Sequence, residues 1–173
     1  MRRSERKQTA GLLVSMSLLL SACNATSDGL VSSFGNTPAA IDLPATVQAF
    51  PDDQVLPVAK AQFAAGNYGH AARYYERAVE LAANDAEAWL GLAASYDRVR
   101  RFDLADRAYS QAARYAADRP EYYNNIGYSY LLRGDVVKAR VNFLKAYDLD
   151  PTSVTVNNNL ELLRENAARA RPN

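Results

Sequence analysis

The residue types that serve catalysis and metal binding are scarce in this chain of 173 residues. It has one histidine, His70, and one cysteine, Cys23, which excludes a multi-histidine metal site. The glycines at 66–69 are not followed by the lysine and hydroxyl residue of a phosphate-binding loop, so we interpret this segment as a turn between helices. His70 follows that turn, where a solvent-facing or capping role is expected. The sequence therefore predicts no catalytic residue, no metal site, no cofactor and no enzyme.

The positions of several carboxylates are explained by a structural role, without a catalytic one. Asp103, Asp106 and Asp135 fall at the predicted starts of helices. Free N–H groups and the helix dipole favour negative charge there. They are therefore predicted to stabilise helix ends rather than to act as general acids or bases.

The N-terminus has the organisation of a targeting signal. Four basic residues within positions 2–7 precede an apolar run of eleven at 10–20. That run is too short for a membrane-spanning helix, which needs about 20 residues, but suits the core of a signal peptide. It ends in Leu20-Ser21-Ala22-Cys23. This ending resembles the lipobox of bacterial lipoproteins, in which the cysteine is lipidated after cleavage.

The lipobox resemblance implies a signal peptide at 1–22 and lipidation of Cys23. The lipid would hold the chain at a membrane. Asn24 stands where an aspartate would resemble an inner-membrane retention signal. The expected location is therefore the periplasmic face of the bacterial outer membrane. Two alternatives stay open: an ordinary secretory signal with a cysteine near the cut, and an anchor that is never cut.

Residues 23–51 are predicted to form a lipidated flexible tether. The segment is rich in Ala, Ser, Thr, Asp and Pro, and its apolar residues show no periodicity. As a random coil, 24–51 would span about 30 Å. In an alternative interpretation, residues 47–50 fold back onto the first hairpin.

The charge of the chain argues against nucleic acid. The full chain has 20 basic and 19 acidic residues, and 16 and 18 remain after residues 1–22 are removed. A nucleic-acid-binding domain would be strongly basic with its positive charge clustered. No nucleic-acid partner is predicted.

A constant period organises the remainder of the chain. Ala71, Ala105 and Ala139 are equally spaced. The same step relates two further sets: Tyr75, Tyr109 and Phe143; and Ala59, Ala93 and Gly127. Apolar spacings of three and four within each unit predict two amphipathic helices, and a single helical pair cannot bury its own apolar face.

This pattern resembles the tetratricopeptide repeat, a helical hairpin with a period of about 34 residues. The resemblance implies an all-α helical-hairpin solenoid with repeats at 52–85, 86–119 and 120–153. Pro57 is tolerable only in the first turn of a helix, so the first helix is expected to begin near Leu56. Residues 154–169, with Val156, Leu160 and Leu163 on one side, are predicted to form a capping helix. A partial fourth repeat is the alternative.

The family resemblance also implies a concave groove lined by the first helix of each repeat. Matched to this chain, the predicted groove residues are Lys60, Phe63, Glu87, Leu90, Asp97, Arg98, Asn124, Tyr128 and Leu131. Such a mixture of apolar and polar side chains suits an extended or helical peptide. An alternative for Leu131 is that it packs on the capping helix.

A lipobox followed by these repeats resembles the assembly lipoproteins of bacterial pilus and secretion systems, in particular the tight-adherence (Tad/Flp) pilus lipoprotein. This implies a protein-binding scaffold anchored to the outer membrane, with a secretin or pilus component as partner. Two alternatives remain: an adaptor for cell-wall or outer-membrane-protein biogenesis, and an accessory regulator of an envelope hydrolase.

Overall fold

The computed structural model describes residues 39–169, with side chains up to residue 165. This part of the chain forms seven α-helices and no strand. Their bounds are α1 Asp52–Ala64, α2 Tyr68–Leu81, α3 Ala86–Arg98, α4 Phe102–Ala116, α5 Pro120–Leu132, α6 Val136–Leu149 and α7 Val154–Arg169. None of the described helices is long and apolar enough to cross a membrane.

The helices pack as three consecutive hairpins followed by one further helix. α1 packs on α2, α3 on α4 and α5 on α6, while α2 contacts α3 and α6 contacts α7. The ranges 52–85, 86–119 and 120–153 each contain one hairpin. The predicted all-α solenoid of three helical hairpins and a terminal helix is confirmed.

Small residues lie where the two helices of a hairpin meet. Ala59, Ala93, Ala71, Ala105 and Ala139 are all 0% exposed. At Gly127 a Cβ would lie 2.6 Å from Cδ1 of Phe143, well inside van der Waals contact. Close approach of the helices therefore requires the small residues that recur from one repeat to the next.

The three hairpin turns share one backbone feature. Gly66, Arg100 and Gly134 occupy the same position in successive repeats, and all three have a positive φ, at 79°, 62° and 80°. Glycine tolerates this left-handed conformation, whereas an arginine is strained in it. The Arg100 guanidinium lies 5.2 Å from the centre of the Phe102 ring, and this contact favours the turn.

The expected start of α1 near Leu56 is wrong. The helix begins at Asp52 and contains Pro57 as its sixth residue. Proline has no N–H for the carbonyl of Asp53, one turn earlier. Both Asp53 and Pro57 are exposed, so that carbonyl can bond to solvent, and the helix continues through the proline.

The segment 41–50, which we call the strap, is bound to the repeats. The backbone N–H of Ile41 donates to the carbonyl of Val99 at 2.9 Å. The Arg73 side chain donates to the carbonyl of Pro44, also at 2.9 Å. These bonds fix the strap to both α2 and the turn between α3 and α4.

Apolar side chains complete the attachment of the strap. Leu43, Val47 and Phe50 are partly buried against the main core. The Phe50 ring meets Tyr74 edge-on, with ring centres 5.7 Å apart. The structure thus differs from the predicted tether at 41–50 and matches the alternative in which 47–50 folds back. Residues 1–38, including the predicted signal peptide and Cys23, lie outside the described residues.

The last helix closes the apolar end of the solenoid. Val156 and Leu163 of α7 are 2% and 5% exposed. Leu160 and Leu163 belong to a cluster with Phe143 and Ala139 of α6. α7 therefore covers the end of the third hairpin, as predicted for a capping helix.

Phe50→Ala tests whether the strap depends on its aromatic anchor. Loss of the contact with Tyr74 should accelerate amide exchange at Ile41 about tenfold, because roughly 1.4 kcal/mol of local stability is lost. Hydrogen exchange followed by NMR measures this rate. The exposed neighbour variant Gln48→Ala should leave the rate unchanged. Equal exchange in both variants would show that Phe50 does not hold the strap.

Candidate functional site

The first helices of the hairpins and α7 line one groove that contains two adjoining cavities. The cap-side cavity, of about 200 Å³, is lined by Phe63, Ala94, Asp97, Arg98, Tyr109, Asn124, Asn125, Tyr128, Thr155 and Asn159. The glutamate-side cavity, of about 450 Å³, is lined by Phe63, Tyr75, Glu87, Leu90, Gly91, Ala94, Arg119, Glu121 and Asn125. The two share Phe63, Ala94 and Asn125, so they form one continuous surface.

Seven of the nine residues predicted for the groove line these cavities. Phe63 borders both. The others divide between the two ends: Glu87 and Leu90 line the glutamate-side cavity, and Asp97, Arg98, Asn124 and Tyr128 line the cap-side cavity. The register of the repeat therefore places these side chains on one surface.

Lys60 and Leu131 line neither cavity. The Lys60 ammonium forms an ion pair with Glu87, and both side chains are about half exposed. Leu131 packs against the cluster that contains Phe143 and Leu163. Its position in the repeat matches that of Phe63 and Asp97, but in the third hairpin the apolar capping helix covers it. The alternative reading of Leu131 is the one that the structure supports.

The capping helix contributes two groove residues that the sequence analysis missed. Thr155 and Asn159 line the cap-side cavity, and the Asn159 side-chain amide donates to Asn124 Oδ1 at 2.8 Å. Thr155 occupies the second position of what would be a fourth repeat, which is a groove-lining position. Extending the register beyond residue 153 would have found it.

Polar side chains on α5 are available to a ligand. The Asn124 amide NH₂ and the Asn125 side chain make no hydrogen bond with another described residue. An asparagine amide offers both a donor and an acceptor. This end of the groove can therefore bond to the N–H and C=O groups of an extended backbone.

Arg98 is held at the rim of the cap-side cavity by an aromatic ring. Its guanidinium carbon lies 4.2 Å from the centre of the Tyr68 ring, within the range of a cation–π contact. Arg98 makes no ion pair with another described residue, so its charge remains available for an acidic group.

A buried carboxylate forms the floor of the cap-side cavity. Asp97 is 2% exposed. Its two oxygens accept hydrogen bonds from the hydroxyls of Ser129, at 2.7 Å, and Tyr109, at 2.9 Å. Arg133 Nη2 lies 3.8 Å from Asp97 Oδ1. Asp97 thus connects the second hairpin to the third through Ser129 and Arg133, while Tyr109 binds it from within the second hairpin.

Arg133 is positioned by a second carboxylate. Its guanidinium donates to both oxygens of Asp106, at 2.9 and 2.5 Å, and it also lies over the Phe102 ring at 4.8 Å. Asp106 is the fifth residue of α4 and not at its start, so its interpretation as a helix-end carboxylate is wrong, and its partner is Arg133. Asp135 does cap α6, accepting from the Lys138 N–H at 3.0 Å.

The surroundings of Asp97 change its acidity. Burial raises the pKa of the Asp97 carboxyl to about 6, although the hydroxyls of Ser129 and Tyr109 and the charge of Arg133 act in the opposite direction. Burial, followed by the nearby Asp97 charge, raises the pKa of Tyr109 well above its usual value. Tyr109 is therefore a hydrogen-bond donor and stays protonated near neutral pH.

The described residues offer no cluster suited to metal binding. No group of three or more His, Cys, Asp or Glu among them is arranged to hold a metal ion. His70 is exposed on α2, as predicted for a solvent-facing residue. What the groove offers to a ligand is apolar surface and hydrogen-bonding side chains.

Comparison with known families identifies the helical hairpins. One model of the tetratricopeptide repeat matches residues 52–95, and a second model of the same repeat matches 93–154. Residues 52–154 are tetratricopeptide repeats. The matched models describe a helical repeat and not an enzyme. No curated protein matches the chain.

Solved tetratricopeptide-repeat structures have the same fold at low sequence identity. One is the type III secretion chaperone SycD of Yersinia enterocolitica in complex with a peptide of the translocator YopD, with a TM-score of 0.56 and 22% identity over 66% of this chain and 93% of that chain. The first repeat domain of human RPAP3 has a TM-score of 0.60 and 16% identity over 68% and 93%. The domain of Arabidopsis OM64 has a TM-score of 0.58 and 18% identity over 66% and 94%.

Asp97→Asn tests the effect of the buried carboxylate on stability. With a native pKa near 6 and an ordinary one in the unfolded chain, the native state binds more protons between about pH 4 and pH 6. The free energy of unfolding should therefore fall as the pH rises through this window, by up to about 2–3 kcal/mol. The asparagine cannot titrate, so the slope should flatten. Urea unfolding at a series of pH values measures it.

Asp118→Asn is the matched control for Asp97→Asn. Asp118 is an exposed carboxylate between α4 and α5, so its substitution removes one negative charge without changing the core. The slope between pH 4 and pH 6 should persist in this variant. An Asp97→Asn protein with the wild-type slope would contradict the assignment.

Proposed function

We propose that this chain is a scaffold of the bacterial envelope whose groove binds an extended segment of another envelope protein. The observation that carries the proposal is the continuous groove, in which apolar and polar side chains line both cavities. Phe63 and Leu90 offer apolar surface in the glutamate-side cavity, and Asn124, Asn125 and Asn159 offer amides in the cap-side cavity. Such a surface anchors apolar side chains while it bonds to the backbone.

The size of the cavities indicates what kind of ligand fits. Volumes of about 200 and 450 Å³ accommodate single side chains or short groups of them, and the shared residues Phe63 and Ala94 connect the two. A segment lying along the groove would place one anchor in each cavity. The peptide-bound SycD structure supports this mode of binding as an analogy between folds.

The proposed location follows from the lipobox ending at Cys23. Lipidation of Cys23 would hold the repeats at the periplasmic face of the outer membrane, and multiple acyl chains give stable anchoring. Because the strap fixes Ile41 to the repeats, the segment 24–40 alone separates them from the lipidated cysteine. A random coil of that length reaches about 20–25 Å. The groove would therefore work close to the membrane.

Within the envelope, we propose assembly of a pilus or secretion system as the process served, with a secretin or pilus component in the groove. The support is the combination of the lipobox with the repeats, which resembles the tight-adherence pilus lipoprotein. The repeat fold alone is compatible with many partners, so identification of the bound protein is the deciding test.

The double variant Asn124→Ala with Tyr128→Ala tests the groove. Both side chains line the cap-side cavity, so the variant should recover at least about tenfold less partner in a pull-down of the full-length chain from envelope extracts, with mass-spectrometric identification. Gln111→Ala, an exposed change on α4, is the control. Circular dichroism establishes that both variants fold.

Two results of the pull-down would contradict parts of the proposal. Equal recovery by the double variant and the control would place the partner on another surface. Recovery lacking any pilus or secretin component, together with normal pili in a deletion strain, would rule out the proposed process.

Cys23→Ser tests the anchor independently of the groove. Without the thiol no acyl chain can be attached, so the chain should lose incorporation of labelled palmitate and no longer fractionate with outer membranes. Gel fluorography and density-gradient fractionation measure these two properties. Ser21→Ala, which keeps a small residue before the cysteine, should retain both. Normal labelling of Cys23→Ser would refute lipidation at this position.

A further inference from the structure

The outer face of α6 carries a bare apolar stripe. Val137, Val141 and Leu144, which we call the outer stripe, are 75%, 60% and 42% exposed. At about 100° per residue these three share one face of the helix. The opposite face carries Ala139, Phe143 and Ala146, all 0% exposed. A helix that is apolar on two opposite faces is expected to have a packing partner on each.

The corresponding positions in the first repeat are covered. Gly69 and Arg73 are the equivalents of Val137 and Val141 two repeats earlier. A Cβ on Gly69 would lie 3.1 Å from Cδ of Pro44, and Arg73 donates to the Pro44 carbonyl at 2.9 Å. The strap therefore lies over this face of α2.

The corresponding positions in the second repeat are polar. Asp103, Arg107 and Ser110 occupy them, and all three are exposed. The strap thus covers this face in the first repeat, and the same face is exposed to solvent in the second. Only the third combines apolar side chains with exposure among the described residues. A contiguous apolar patch of this kind marks an interaction surface.

The charges beside the outer stripe identify its partner. Arg140 and Asp148 are exposed and form no ion pair with another described residue. Lys138 is paired with Asp135 at 2.9 Å, and the Lys145 ammonium lies 4.0 Å from the centre of the Tyr123 ring. Because the Lys145 ammonium is directed toward Tyr123 of α5, the charges beside the outer stripe that have no partner among the described residues are Arg140 in the first half of α6 and Asp148 near its end. When two copies of α6 run antiparallel, the positive group of each copy therefore lies near the negative group of the other.

We propose that the outer stripe is the interface between two copies of this chain, with their α6 helices antiparallel. A two-fold axis midway between Val141 and Leu144 places Val141 of each copy opposite Leu144 of the other copy. Arg140 then lies about 4.5 Å along the helix axis from Asp148 of the partner subunit. An arginine side chain spans that distance. Two-fold dimers of this kind are the commonest protein assemblies.

The inference is independent of the groove ligand and of the lipid. The groove is lined by α1, α3, α5 and α7 together with Tyr75, Tyr109 and Arg119, whereas the outer stripe belongs to α6. A dimer formed through α6 leaves both grooves open. Each assembly would then present two binding sites, which raises the effective affinity for a partner with repeated segments.

Sedimentation velocity of the full-length chain in a density-matched detergent tests the interface. The wild-type chain should form a dimer that dissociates on dilution. Val141→Asp should raise the dissociation constant by at least about tenfold, because it places a charge in the apolar contact. Arg107→Asp, the same register position in the second repeat, is the matched control and should leave the constant unchanged. Thermal unfolding curves verify that both variants are folded.

A charge exchange tests the antiparallel direction. Arg140→Asp alone and Asp148→Arg alone each place like charges together and should weaken the dimer severalfold. The double variant restores opposite charges and should return to within about threefold of the wild-type constant.

Three outcomes would overturn the proposal: a wild-type chain that is monomeric at every concentration, a Val141→Asp chain that dimerises normally, or a charge exchange without recovery. A monomer whose Val141→Asp variant instead loses an envelope protein in the pull-down would assign the outer stripe to a different protein. The groove double variant should dimerise normally, so failure of this inference is distinguishable from failure of the proposed function.

Discussion

Close approach of paired helices is the constraint on which the rest of this structure depends. The helices of each hairpin meet at alanine or glycine, and a methyl group at Gly127 would collide with the Phe143 ring. Larger residues at these positions would separate the helices and forfeit dispersion contacts along their whole length. The tight hairpin in turn fixes the angle at which the next one stacks. The groove exists because the first helix of each of the three hairpins and the terminal helix lie on the same side of the solenoid.

The regular part of the fold could be predicted from the sequence because its cause is local and periodic. The regular recurrence of Ala59, Ala93 and Gly127 specifies both the hairpin and its neighbours. Most groove residues followed from the same register. The errors arose where a residue at a repeated position contacts a part of the chain that does not belong to the repeat pattern. Leu131 has a capping helix beside it, whereas Phe63, at the same position, has open space.

The remaining differences have separate physical origins. Pro57 is accommodated in α1 because the carbonyl of Asp53, which it leaves without a helical partner, is at the surface. The residue type alone does not reveal that exposure. The strap has no periodicity, and its attachment depends on long-range bonds such as that from Ile41 to Val99. The register predicts Asp97 as a groove residue, and it lines the cap-side cavity, but the register does not reveal that Ser129 and Tyr109 bond to its carboxylate. Both partners lie on other helices, beyond the reach of a pattern within one helix.

The strap also determines how the domain would bear a mechanical load. Its first bond joins Ile41 to the turn after α3, and Asp42 is paired with Arg101 of the same turn at 2.9 Å. Tension applied through the chain before residue 41 would therefore enter the solenoid at its second hairpin and not at the start of α1. The bonds of Ile41, Asp42 and Pro44 to the repeats therefore lie between such a pull and α1.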